Sequence, residues 1–396
     1  MALLAGCTNQ QKQNSRYTQE QIASLYLDST TTLKTETDSM IKINLNPFLQ
    51  RQHFDFGALI KSIKIIPLES TDESLLDNIY KVIVSDSHIY IQDNLKGGGI
   101  AIFCKDGKFI KRVPYGQGPG ELSRLYDIAY DKGNNELIAY EHSFLTFFTA
   151  SGEFIREEKL PFGFYNFTVI PDGYIFKTID GRGNSHLEYL KDYTLFITDR
   201  KFKLKSVGMY CLPMGKVISG HDYLYNNNHN VIVTQMYSDT VYQYISKTKE
   251  LKARYVLDYS KKKLPEHYLP FETYNDFDRV VKQNDYYYYI GRYLDTETHH
   301  VFFLENYNIG RTVIYRDKQS GNLTGGTNAD YNMNETPPVA FPISTSDNWL
   351  ISVYLPNQNT PLLFNSPIIS DGDKLKIKNL TEDDNPVLVF FELKDF

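Results

Sequence analysis

Apolar and polar positions along this chain rarely follow the i, i+3, i+4, i+7 spacing of a helix; short apolar runs separated by turns dominate instead. Ile89-Tyr90-Ile91 and Leu137-Ile138-Ala139-Tyr140 are two such runs, each followed by a turn and a further run. One stretch repeats. Phe103-Cys104-Lys105-Asp106-Gly107-Lys108-Phe109-Ile110 returns as Phe148-Thr149-Ala150-Ser151-Gly152-Glu153-Phe154-Ile155, an offset of 45 from Phe103 to Phe148. A period of roughly 40–50 residues built from strands and turns is the signature of a propeller blade. Gly107 and Gly152 stand where a tight hairpin needs φ > 0, so each repeat reads as the outer pair of strands of one four-stranded blade.

Extended along the chain, this pattern predicts an all-β, six-bladed β-propeller. Blade one is expected over about Asp77 to Val113, with strands Ile79 to Val84, His88 to Gln92, Ile100 to Cys104 and Phe109 to Val113. Blade two runs from about Tyr126 to Leu160. Blade three takes Phe167 to Ile170, Tyr174 to Thr178, Leu195 to Thr198 and Phe202 to Val207. Blade four takes Val231 to Thr234, Val241 to Ile245 and Leu251 to Leu257, with an innermost strand near Val217 to His221. Blade five takes Tyr286 to Ile290, His300 to Leu304, Thr312 to Tyr315 and a strand after Gly321. Blade six has Val339 to Ile343, Trp349 to Tyr354 and Val387 to Leu393, which leaves it one strand short. Ile63 to Leu68 is a spare strand, and its pairing beside Val387 to Leu393 would close the ring and remove two open edges.

The expected organisation is a signal and tether over residues 1–17, a leader over 18–62 and the propeller over 63–396. Thr18 and Gln21 have the spacing of a capping box, which predicts a short helix from Gln19 to Leu27. Three insertions, Asp258 to Asp285 with a helix from Glu272 to Lys282, Gly325 to Pro338, and Asn357 to Asn385, are expected to decorate one face.

Composition supports the β reading: aromatic residues make up 14% of the chain, with 31 Tyr and 24 Phe against one Trp. The formal net charge of -6, without a lysine or arginine cluster, argues against a nucleic-acid partner. No run of about 18 apolar residues is available to form a membrane-spanning helix.

Leu4-Ala5-Gly6-Cys7 resembles the bacterial lipobox, in which a small-residue cleavage site precedes a cysteine that becomes acylated. Only six residues precede Cys7, with no basic region, which departs from that pattern. The polar run Thr8 to Ser15 has the composition of a flexible tether. Three further segments, Ile66-Pro67-Leu68-Glu69, Tyr115-Gly116-Gln117-Gly118-Pro119-Gly120-Glu121 and Tyr237-Ser238-Asp239-Thr240-Val241-Tyr242, resemble the six-bladed β-propeller lipoproteins of bacteria, from about Ile63 onward. The resemblance implies a propeller and an exported protein, periplasmic or in the outer membrane, anchored by lipid on Cys7. It implies no reaction.

Candidate chemistry is sparse. Asp93, Glu141, His142, His221, Asp239 and Arg292 fall at or near strand ends, where blade loops gather around a central channel, and they form the ligand-binding hypothesis. Gly116, Gly118, Pro119, Gly120 and Glu121 lack the spacing of a phosphate loop and read as a tight crossing from blade one to blade two, braced by Glu121. His299 and His300, adjacent on a strand, point to opposite faces and make a poor metal pair. Tyr286 to Tyr289 invite a sugar-stacking platform, but the same alternation limits them to two rings per surface, and blade packing is favoured. Cys104 and Cys211 lack metal-ligand spacing; free thiols are favoured over a pair. No cofactor is expected. The favoured function is binding of a glycan, peptide or envelope protein, with membrane contact through the lipid anchor only. The alternative is a hydrolase or lyase with a carboxylate and metal site in the channel; a third reading is a structural assembly subunit, marked by a broad apolar patch.

Overall fold

The computed structural model describes residues 17–94, 98–118, 120–141, 144–178, 184–210, 223–226, 231–235, 237–330, 339–357 and 367–396. Six four-stranded antiparallel sheets form the blades, five from consecutive strands and the sixth completed by an early strand. Blade one comprises Ile79–Val84, His88–Asp93, Gly99–Cys104 and Phe109–Pro114, and blade two Asp127–Asp131, Glu136–Glu141, Phe144–Thr149 and Phe154–Lys159. Blade three comprises Asn166–Ile170, Gly173–Lys177, Tyr193–Asp199 and Leu204–Tyr210, and blade four Leu224–Asn226, Val231–Val233, Thr240–Ile245 and Glu250–Asp258. Blade five takes Tyr288–Asp295, His299–Asn306, Gly310–Asp317 and Leu323–Gly326. Blade six takes Ser344–Ser346, Trp349–Tyr354 and Val387–Leu393, and its outermost strand is Ile60–Pro67. Val389 lies opposite Ile65 in an antiparallel register, so the early strand closes the ring on the last blade.

The alternating side chains explain why the apolar runs are nearly continuous. Ile89, Ile91, Ala101 and Phe103 pack toward blade six, while Tyr90, Ile100 and Ile102 pack toward blade two. A strand sandwiched between sheets must be apolar on both faces. The closing strand follows the same rule: Ile63 and Ile65 join the core between blades five and six, and Ile66 that between six and one. Each fully buried aliphatic side chain of this kind contributes about 1.5–3 kcal/mol.

The innermost strands touch their neighbours around an unbroken circle. Polar latches join them. Ser344 Oγ donates to Val82 O at 2.7 Å, Lys81 Nζ to Asp127 Oδ1 at 2.7 Å, and Phe167 N to Asp127 Oδ2 at 3.0 Å. Tyr223 N donates to Asn166 Oδ1 at 3.3 Å, and Thr234 Oγ1 to Gly291 O at 2.6 Å.

The two hairpins that revealed the repeat share one geometry. Gly107 N donates to Cys104 O and Gly152 N to Thr149 O, with φ of 90° and 85°. Each hairpin seats on the preceding blade: a Cβ on Gly107 would lie 2.0 Å from Pro67 O, and one on Gly152 2.6 Å from Ile102 Cδ1.

The segment before the closing strand is a strap around the rim. Thr31–Thr32 pairs parallel with Ser206 and Val207 on the outer edge of blade three. Thr35–Glu36 and Ile41–Asn44 pair parallel with the outer strand of blade four, and His53–Asp55 with Asn328–Asp330 beyond the last strand of blade five. Extra strands laid on open edges block edge-to-edge association.

Several boundaries differ from the expectation. The capping box at Thr18 is present, but the helix ends at Ala23 and gives way to a 3-10 turn, Leu27–Ser29. Val339 to Ile343 is not a strand; the innermost strand of blade six is Ser344–Ser346, and Val339 and Ala340 are buried beside it. The innermost strand of blade four is Leu224–Asn226, while the expected segment Val217 to His221 lies outside the described residues.

Candidate functional site

Each first strand starts on the same face of the ring, here the entry face, so alternating strand direction places the connections. Turns from first to second and from third to fourth strands lie on the opposite face and are short, the longest being 318–322. Connections from second to third strands, and from blade to blade, return to the entry face. The long ones, 178–192, 211–223, 259–287, 331–343 and 355–386, therefore all leave strands that end there.

Of the six expected ligand-site residues, His142 and His221 lie outside the described residues. Asp93 closes the second strand of blade one and is 1% exposed. Its carboxylate accepts Asp77 N at 3.2 Å and Asn78 N at 3.1 Å, and faces Arg112 Nη1 at 3.4 Å. Glu141 occupies the same position in blade two. It accepts the backbone N–H of Ser123, the Ser123 hydroxyl at 3.0 Å and the Thr146 hydroxyl at 2.8 Å. Each acid thus pins the segment that enters its own blade. Both act on Tyr115, whose phenol is pushed up by burial and then by these two charges.

The other two stand apart. Asp239 precedes the third strand of blade four and pairs with Lys263 Nζ at 2.7 Å. Arg292, in the first strand of blade five, donates to Pro342 O at 3.1 Å and lies over the Phe303 ring, 4.8 Å from its centroid. The structure therefore brings Asp93 and Glu141 toward one phenol and leaves Asp239 and Arg292 at separate seams. Among the described residues no group of three or more His, Cys, Asp or Glu side chains could hold a metal ion. No helix among them is long and apolar enough to cross a membrane.

At the crossing between blades one and two, Glu121 Oε2 accepts Gly118 N at 2.7 Å and fills the space a Cβ on Gly116 would need. Gly120 has φ 79° and sits against Phe154. Pro119 lies outside the described residues. His299 and His300 diverge: His299 stacks on Phe396 with Nε2 3.9 Å from Asp317, whereas His300 faces Asp295 at 3.4 Å. Burial lowers both imidazole pKa values. Cys104 is a half-buried free thiol; Cys7 and Cys211 lie outside the described residues.

The run Tyr286 to Tyr289, for which the sequence favours blade packing over a sugar-stacking platform, divides between the two at the entry face between blades four and five. Tyr287 and Tyr289 are fully buried in the blade core, while Tyr286 and Tyr288 turn toward the insertion. There Tyr237, Tyr274 and Tyr307 join them around Phe277. Burial pushes the phenols of Tyr237, Tyr288 and Tyr307 well above the ordinary tyrosine range. Tyr237, Tyr274 and Tyr307 lie outside that run; for them the signal in the sequence is the length of the insertion.

The fold has solved relatives. A protein described as exported, from Bacteroides fragilis, matches at 16% identity over 90% of this chain and 100% of that chain, with a TM-score of 0.72. BamB from Moraxella catarrhalis matches at 11% identity over 86% of this chain and 99% of that chain, with a TM-score of 0.35, too loose a likeness to bear on this chain. No curated protein matches. A model of one sequence family matches residues 40–392, from the rim strap to the end of the last blade, and the chain belongs to that family, the domain of unknown function DUF4934.

Proposed function

We propose that this protein is an exported binding module of the bacterial cell envelope, held at a membrane by acyl chains on Cys7 and presenting its entry face to a glycan, peptide or protein partner. The observation that carries this reading is the asymmetry of the two faces. A ring closed by its own strap and latched between blades is stiff, and all its long connections leave from one side. Loops on a rigid scaffold are where recognition is usually built. The lipobox-like Leu4 to Cys7, the polar run after it and the exported relative in Bacteroides fragilis support the location. A hydrolytic reading would draw on Asp93 and Glu141, whose oxygens are committed to backbone amides and hydroxyls.

The test is metabolic labelling of bacteria expressing the full chain with an alkyne fatty acid, followed by fractionation. Label and membrane recovery that both vanish in Cys7→Ser support the anchor. An unlabelled protein in the cytoplasmic fraction would refute it. Proximity cross-linking from entry-face positions should then capture more material than from the opposite face; equal capture would remove the assignment of the recognition face.

A further inference from the structure

The insertion between blades four and five builds something that blade packing does not require. Its own small core packs Phe277 and Val281 of the helix Tyr274–Asn284 against Leu264 and Phe271. Four tyrosines from separate parts of the chain surround Phe277: Tyr288 at 5.1 Å between ring centroids, Tyr237 at 5.4 Å, Tyr274 at 5.9 Å and Tyr307 at 6.3 Å. The Tyr274 and Tyr307 hydroxyls hydrogen-bond to each other. The Tyr237 hydroxyl is buried and has no partner.

Tyr237 is unusual in a second way. Its backbone sits at φ 60°, a left-handed conformation that a bulky side chain rarely adopts, and its N–H donates to Tyr289 O at 2.9 Å. Strain of this kind persists where the surroundings fix a side chain in place. Tyr274, by contrast, is 55% exposed and offers ring surface to an incoming molecule.

Charge narrows the class of that molecule. The basic side chains bordering the cluster are each neutralised by an acid: Lys263 by Asp239 at 2.7 Å, Lys282 by Asp278 at 2.8 Å, and Lys262 by Asp285. Burial keeps the phenols of Tyr237, Tyr288 and Tyr307 protonated. These bordering charges are thus paired, with Lys282 Nζ also 4.8 Å over the Tyr307 ring, and the exposed part of the surface is aromatic with the Tyr274 and Tyr307 hydroxyls at its edge. Sugars are built the same way, with apolar C–H faces and a hydroxyl periphery.

We infer that the tyrosine shelf formed by Tyr237, Tyr274, Tyr288 and Tyr307 binds a neutral oligosaccharide, whose ring stacks on Tyr274 and whose hydroxyls reach the exposed Tyr274 and Tyr307 phenol pair, with Tyr237 and Tyr288 holding that pair from behind. The inference rests on the reading of the chain as a binding module and names the ligand class for one part of its entry face.

The experiment uses the full chain and a defined panel of neutral hexasaccharides of glucose, mannose, galactose and xylose, with a sulfated hexasaccharide as the anionic arm. Saturation-transfer NMR detects binding and calorimetry measures it. At least one neutral member should bind, with Tyr274→Ala weakening it roughly tenfold, the loss expected for one stacking contact. Tyr307→Phe, which removes only a hydroxyl, should weaken binding without changing the fold. Tyr26→Ala, an exposed tyrosine of the rim strap lying against Lys203 in an opposite-face turn of blade three, is the control and should leave affinity unchanged. No binding across the neutral panel, tighter binding of the sulfated probe, or a sugar bound equally well by Tyr274→Ala would each overturn the inference. The last of these would leave the binding-module reading intact, because a sugar would still be held elsewhere on the molecule. A crystal structure grown with saturating hexasaccharide and showing no sugar on Tyr274 would also overturn it.

Discussion

Replacing Gly107 by alanine perturbs the seam where the last blade meets the first. The left-handed backbone, φ 90°, costs about 1–2 kcal/mol once a Cβ is present. That Cβ would lie 2.0 Å from Pro67 O, a backbone atom of the closing strand that cannot swing aside. Relieving the overlap moves the hairpin off the strand, at about 1–3 kcal/mol. It also stretches two clasps, Glu69 N to Gly107 O at 2.9 Å and Phe109 N to Glu69 Oε2 at 2.8 Å, worth roughly 1 kcal/mol each. The expected loss is about 3–6 kcal/mol. Gly152→Ala is the matched control. It sits in the same hairpin one blade later with φ 85°, but its Cβ would meet Ile102 Cδ1, the end of a flexible side chain, at 2.6 Å. Its loss should be about 1–3 kcal/mol. Guanidinium unfolding of both variants, followed by circular dichroism, measures the difference. Equal losses, or a larger loss for Gly152→Ala, would refute the reasoning about the seam.

Other outcomes follow from the same geometry. Lys249 holds φ 57° at the blade-four counterpart of that hairpin glycine while its side chain is exposed, so Lys249→Gly should stabilise the fold by about 0.5–1 kcal/mol in the same unfolding assay. The buried imidazoles of His299 and His300 have pKa values lowered by burial from the ordinary 6.5. Well above pH 6.5 both are neutral folded and unfolded and contribute no pH dependence; as the pH falls through 6.5 the unfolded chain takes up protons that the fold resists, so stability falls. His300→Gln should lose less additional stability between pH 7 and pH 5 than the parent, measured by unfolding midpoints, and a parallel decline would remove this assignment.

The blades were legible because strands buried on both faces must be apolar, and because Gly107 and Gly152 mark identical hairpins. The repeat fades in blades three and four for a visible reason. The corresponding left-handed positions there are Phe202, φ 59°, and Lys249, φ 57°, so the glycine signal is missing although the conformation is kept. The innermost strand Ser344–Ser346 was illegible because it faces the channel and carries no apolar side chain, whereas Val339 and Ala340 are buried without forming a strand. The strap strands Thr31–Thr32 and Thr35–Glu36 are largely exposed, so their pairing leaves no hydrophobic trace. At the site, strand-end acids such as Asp93 and Glu141 look alike in sequence whether they face a ligand or a backbone amide. The tyrosines of the shelf come from four separate segments and meet only through the fold.

The recognition face and the tyrosine shelf both depend on a ring sealed by the early strand. Ser62 and Glu392 are register partners across that seal, with Ser62 Oγ donating to Glu392 Oε2 at 2.7 Å. The decisive measurement is oxidation of the native Ser62→Cys, Glu392→Cys double variant, followed by non-reducing electrophoresis and peptide mapping. The closed ring predicts a near-complete, reducible link between positions 62 and 392 and a higher unfolding midpoint; two thiols that stay free in the native state would contradict it.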